Sequence, residues 1–86
     1  MSHRANPRFW VCYEALPSEV RRLADENYAL LRSNQHHPSL QYKRIGRFRS
    51  VRVGLHYRAL AVEADGDVIW FWIGHHAEYD RLIAGR

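Results

Sequence analysis

The hydrophobic rhythm of this chain changes once, at Pro38, and that change limits what the chain can fold into. Before Pro38 apolar residues recur at helical spacing; after it they alternate. Asn6-Pro7 reads as a helix start, with Asn as the N-cap and Pro at the first helical position. Phe9, Cys12, Tyr13 and Leu16 then follow at i, i+3, i+4 and i+7. Pro17 breaks this helix and suits the first turn of a second, whose apolar positions are Val20, Leu23, Ala24, Leu30, Leu31 and Tyr28. Arg21, Arg22, Asp25 and Glu26 fill the opposite, solvent-facing side. The predicted helices span 7–16 and 17–34 and pack as an antiparallel hairpin.

Past Pro38, Leu40, Tyr42 and Arg44 suggest a short strand, and Ile45-Gly46-Arg47 a turn. Phe48 or Arg49 to Val53 alternates, with Val51 and Val53 on one face and Ser50 and Arg52 on the other. Gly54-Leu55-His56 is a tight connection to a strand from Tyr57 to Glu63. The next turn is Ala64-Asp65-Gly66-Asp67, because Asp-Gly tolerates positive φ. Val68 to Ile73 is apolar on both faces, so that strand is central or covered. A short helix from His76 to Ile83 closes the chain. Segregated helices and strands define an α+β fold: an N-terminal helical hairpin on a three- to four-stranded antiparallel sheet, with a short C-terminal helix. Residues 1–86 suffice for a single domain with a thin core, and no helix is expected between Val51 and Ile73.

Bulk properties narrow the partners. A formal charge of +4 and a pI near 9.7 favour an acidic partner, either nucleic acid or protein. No apolar run reaches the roughly 20 residues needed to span a bilayer. Met1 to Asn6 is polar with no hydrophobic stretch behind it, so no signal peptide is expected. The one cysteine, Cys12, sits among Trp10, Val11 and Tyr13 and reads as a buried thiol. Together these features predict a cytoplasmic protein.

The chemistry concentrates in the second half. Lys43, Arg44, Arg47, Arg49 and Arg52 place five cations within ten residues, enough to contact several phosphates. Edge charges that discourage strand aggregation are the plainer alternative. Arg52 and Arg58 fall on neighbouring strands and are expected to converge as a phosphate clamp, unless Glu63 or Asp67 pairs with them. In His75-His76-Ala77-Glu78-Tyr79-Asp80, helical spacing sets His75 near Tyr79 and His76 near Asp80. A histidine there serves as general acid or base. Six histidines raise the question of a metal, but no paired Cys or His-Glu-x-x-His spacing is present, and neither metal nor cofactor is expected. Trp70 and Trp72 alternate with Ile69, Phe71 and Ile73; the set facing away from the helices is expected to form an interface. His36-His37-Pro38 reads as structural.

Taken in order, His37-Pro38-Ser39-Leu40, Ser50-Val51-Arg52-Val53-Gly54, Tyr57-Arg58 and Ile73-Gly74-His75-His76-Ala77-Glu78-Tyr79 resemble the RelE/ParE superfamily of type II toxin–antitoxin toxins. The resemblance runs from Phe9 to Leu82. It implies a microbial RNase-like fold with a cognate antitoxin as partner. RelE-type members cut mRNA on the ribosome without a metal, and ParE-type members inhibit DNA gyrase. Carried over by position, Arg52 and Arg58 are the basic catalytic residues, and His76 stands where many members have arginine. Tyr79 lies near the family's C-terminal tyrosine and, as a catalytic residue with His76, would stack on a base or position the ribose. Lys43, Arg44, Arg47, Arg49 and His75 would contact RNA, and Trp70 and Trp72 the antitoxin. Two departures stand out. The first strand is missing or reduced to Met1–Asn6, and Ser50 occupies a position held by lysine in ribosome-dependent members. The resemblance thus predicts a ribosome-dependent mRNA endoribonuclease, with a gyrase inhibitor or a catalytically degenerate binding protein as alternatives.

Overall fold

The computed structural model describes residues 2–84. The chain runs β1 (His3–Ala5), α1 (Pro7–Glu14), α2 (Ser18–Ser33), a 3-10 turn (Pro38–Leu40), β2 (Lys43–Ile45), β3 (Phe48–Val53), β4 (Tyr57–Ala64), β5 (Asp67–His75) and α3 (His76–Ala84). The α+β class holds, and no helix lies between Val51 and Ile73. The sheet has five strands in the order β1-β5-β4-β3-β2. It exceeds the expected three or four because the first strand is present, shortened to three residues and parallel to β5. Three residues are too few to show a period, and what fixes them is a distant residue. The Ser2 hydroxyl donates to Asp67 Oδ1 at 2.7 Å, and Arg4 pairs with the same carboxylate at 3.4 Å. The two Ser2 hydrogen bonds, hydroxyl first and backbone N–H second, hold the Asp67 carboxyl below its usual range.

The helix starts follow the sequence. Asn6 caps α1, its Oδ1 accepting from Phe9 N–H at 3.0 Å. Pro17 precedes α2, whose last backbone bond runs from Asn34 N–H to Leu30. The hairpin is tied by Tyr13, whose hydroxyl donates to Asp25 at 2.7 Å; that bond raises the phenol's pKa. The expected Leu40–Arg44 strand starts later, at Lys43. Leu40 is instead buried in the 3-10 turn, and Gln41 takes a left-handed φ of 47°.

Two clusters of buried side chains lie on opposite faces of the sheet. Under α1 and α2, Val51, Val53, Ala59, Ala61, Val68, Trp70 and Ile73 meet Leu16, Ala24 and Leu31. On the other face, Phe48, Leu60 and Trp72 meet Tyr79 from α3. That second face is therefore partly closed by α3. β5 faces both clusters, in keeping with its two-sided apolar sequence.

The register of β4 against β5 explains how β5 serves both. Leu60 pairs with Trp72 and Ala61 with Trp70, leaving Phe71 as an extra residue in a bulge. An extra residue resets the alternation, so Trp70 and Trp72 point to opposite faces despite their i, i+2 spacing. They are 2% and 5% exposed. The expectation that Trp70 and Trp72 meet an antitoxin at the surface is therefore corrected: each is core, one on each side.

The Trp72 indole also explains Gly74. A Cβ at Gly74 would lie 2.5 Å from Trp72 Cζ2. Gly74→Ala is expected to lower stability by about 1–3 kcal/mol through overpacking, measured by urea unfolding. Unchanged stability would show that the indole moves aside freely.

Candidate active site

β3 and β4 are joined by a turn at Gly54, whose φ of 65° suits glycine. The strands that leave this turn place Arg52 directly opposite Arg58. Both belong to the face that carries Ser50 and Leu60, the α3 side. Like charges set directly opposite each other destabilise a sheet pair. Here no carboxylate offsets them: among the described residues the ion pairs are Arg4–Asp67 and Arg49–Glu63. The expected alternative, pairing of these arginines with Glu63 or Asp67, is not what the structure has. Backbone oxygens steady them instead. Arg52 Nε donates to the Gly54 carbonyl at 3.0 Å, and Arg58 Nη1 donates to the Tyr57 carbonyl at 2.8 Å. Two half-buried guanidinium groups outside any ion pair of the described residues have the chemistry to receive an anion.

The rest of the basic run splits between the faces. Lys43 pairs with Ser50 and shares the α3 face with Arg52 and Arg58, while Arg47 lies over the Phe48 ring at 5.1 Å. Arg44 pairs with Arg49, and both fall on the α1–α2 face. Arg49 is bound to Glu63 at 3.0 Å. Period two makes this division inevitable, so the five cations do not form one patch. Arg44 and Arg49 stand away from the Arg52–Arg58 pair.

His75 ends β5 and His76 begins α3. His75 Nδ1 accepts from Ala77 N–H at 3.1 Å and so caps α3. His76 N–H donates to the His56 carbonyl at 2.8 Å, which fastens the start of α3 to the β3–β4 turn. His76 is half-buried at the same end of the sheet as Arg58, which pairs with Gly74 two residues upstream of His76. The expected His76–Asp80 pairing is not among the ion pairs.

Tyr79 departs from its expected role. It is 6% exposed in the cluster with Leu60 and Trp72, and its hydroxyl bonds Ser50 Oγ at 3.0 Å. Ser50 is itself 1% exposed, so the position held by lysine in the resembled family is a buried anchor here. A phenol in this setting cannot stack on a base; it ties α3 to β3. Tyr79→Phe is expected to cost about 1 kcal/mol in chemical unfolding, and the same change in a Ser50→Ala background much less. Additive losses would mean that the two hydroxyls act independently.

His56 was missed by the sequence reading. Its ring lies 6.1 Å from those of both His75 and His76. Its place in a connecting turn gave no periodic signal; only the strand pairing of Tyr57 with His75 reveals it.

The architecture, a five-stranded sheet backed by a helical hairpin, has known counterparts among toxins. By fold the chain is similar to the toxin of a RelB–RelE antitoxin–toxin complex from Methanococcus jannaschii, at 20% identity and a TM-score of 0.68 over 90% of this chain and 95% of that one. It is similar to YafQ from E. coli, with 10% identity and a TM-score of 0.71 over 91% and 96%. For the isolated E. coli RelE toxin the values are 13% and 0.62 over 95% and 97%. No curated protein sequence matches the chain. Residues 18–81 match the ParE-like toxin domain, and the chain belongs to that family, within the RelE/ParE superfamily of toxin–antitoxin toxins.

Proposed function

We propose that this toxin is a ribosome-dependent mRNA endoribonuclease. The observation that carries the reading is the directly opposed Arg52–Arg58 pair, in no ion pair among the described residues and at the same end of the sheet as His76. A pair of guanidinium groups kept together against their repulsion suits a scissile phosphate. The arginines stabilise the extra negative charge that develops as a ribose 2′-hydroxyl attacks phosphorus. His76 exchanges the proton: it takes it from the attacking 2′-oxygen or delivers it to the departing 5′-oxygen. The 2′-oxygen–phosphorus bond forms as the phosphorus–5′-oxygen bond breaks, leaving a cyclic phosphate and a 5′-hydroxyl. Lys43 and Arg47 add longer-range contacts to the RNA backbone. Tyr79 supports the site from beneath, through Ser50.

A cognate antitoxin is the natural partner, as in the RelB–RelE complex from Methanococcus jannaschii. In place of the buried tryptophans, its seat is the groove on the α3 face lined by Phe48, Leu60, Val62, Phe71 and Leu82, with Arg47 at the rim. An apolar segment with flanking acidic residues fits such a groove.

One observation favours the alternative of gyrase inhibition or pure partner binding. Ser50 is buried and spent on Tyr79, so this chain lacks a third cation beside Arg52 and Arg58 at that position. Expression of the toxin alone decides between the readings. Cleaved mRNA with normal DNA supercoiling is expected; intact mRNA with altered supercoiling, or with no effect on either, overturns the nuclease.

No helix among the described residues is long and apolar enough to cross a membrane.

A further inference from the structure

We propose that His56, His75 and His76 form a binding site for one divalent transition ion of the zinc kind, a site that shares His76 with the proposed nuclease. The three imidazoles come from a turn, a strand end and a helix start. Each offers a nitrogen, and these nitrogens all lie within 4.8 Å of one another. The His75 and His76 rings are 4.4 Å apart, and the His56 ring is nearly parallel to that of His75, at 8°. The backbone holds the three together without help from the rings: Tyr57 pairs with His75, and His76 N–H donates to the His56 carbonyl at 2.8 Å. The side chains are therefore brought close by the fold, and of their ring nitrogens His75 Nδ1 is engaged, by Ala77 N–H.

The donor set selects the ion. Imidazole nitrogen suits zinc, copper and nickel, whereas magnesium and calcium take oxygen ligands. Tetrahedral zinc holds nitrogen at about 2.0–2.1 Å, which brings ligand atoms to roughly 3.4 Å from each other. His56 and His75 are exposed, so small rotations about their side-chain bonds close the gap from 4.8 Å. Two ring nitrogens have other contacts to consider. His75 Nδ1 now accepts from Ala77 N–H, and ligation through that atom replaces the cap, leaving an exposed N–H to water. Tyr57 meets the His75 ring edge-on at 5.6 Å and limits the directions it can turn. Three protein ligands leave the fourth position of a tetrahedral ion to water.

Zinc titration of the metal-free full-length chain tests the proposal, followed by calorimetry and by the imidazole signals in nuclear magnetic resonance. One equivalent of Zn²⁺ is expected to bind, to shift the imidazole signals of His56, His75 and His76 together, and to raise the melting temperature. His56→Ala removes an exposed ring outside the proposed nuclease machinery, and is expected to weaken Zn²⁺ binding by at least about tenfold. His75→Gln provides the same test if the first variant folds poorly. His36→Ala, an exposed histidine outside the cluster, is expected to bind as the parent does. Absence of saturable binding, equal binding of Mg²⁺, undiminished affinity in His56→Ala and His75→Gln, or an equal loss in His36→Ala each overturns the site.

Discussion

Alanine at Arg52 or at Arg58 is expected to slow mRNA cleavage by about 10²–10³-fold, the cost of removing one donor aimed at developing charge. The same substitutions should leave the domain as stable as before, or slightly more so. That combination follows from the register: the two cations face each other across β3 and β4, and neither is in an ion pair among the described residues. In the absence of an anion their repulsion costs the sheet roughly 0.2–1 kcal/mol. Cleavage of mRNA in a ribosome-containing translation reaction, read beside thermal unfolding of the same proteins, gives both numbers. A residue kept for the fold would show the reverse, a lower melting temperature with activity lost only in proportion. The double variant should lose less than the product of the single losses, because one phosphate engages both groups. Fully active single variants would remove the arginines from the reaction and leave the partner-binding reading in place.

The second large effect belongs to the tryptophans. Trp70→Ala and Trp72→Ala are each expected to lower stability by about 3–5 kcal/mol, the usual range for deleting a buried aromatic. A domain of this size holds only about 5–10 kcal/mol in total, so either variant should lose about a third of that stability or more. Urea denaturation followed by circular dichroism measures it. The two losses arise in different clusters, one under α1 and α2 and one under α3. Phe71→Ala should cost less, since Phe71 is only partly buried. If Trp72 instead formed an interface, its alanine variant would unfold at the parent's urea concentration and fail only in antitoxin binding.

These two cases show what could be read from the residues and what could not. Helix starts were legible because capping is local: Asn6 and Pro7 act on their immediate successors. The Asp-Gly turn was legible for the same reason, and Gly66 has the positive φ, 82°, that it predicts. The convergence of Arg52 and Arg58 followed from counting back from a tight turn. β1 escaped because its stability comes from Asp67 and β5, more than sixty residues away in the chain. The tryptophans were misassigned because strict alternation was carried through β5, and nothing near Phe71 announces an extra residue. Tyr79 was placed correctly on α3 but given a surface role, since which face of that helix meets the sheet depends on Leu60 and Trp72. His56 was overlooked because turn residues carry no periodic pattern.

The bulge at Phe71 has a bearing on how such a chain can change over time. It divides β5 into two lengths of opposite phase. Upstream, Val68 and Trp70 answer to the helical hairpin; downstream, Trp72 and Gly74 answer to α3 and its neighbours. Each length can drift by substitution under its own constraint. A further residue inserted across the seam has no such freedom. Loss of Phe71 would keep both halves on their faces, because the register already pairs Ala61 with Trp70 and Leu60 with Trp72; gain of a further residue there would turn the downstream half over, carrying His75 and His76 away from the turn that meets them. Descendants of this chain are therefore expected to vary in the residues on either side of Phe71, and to lose the bulge residue, long before they gain another.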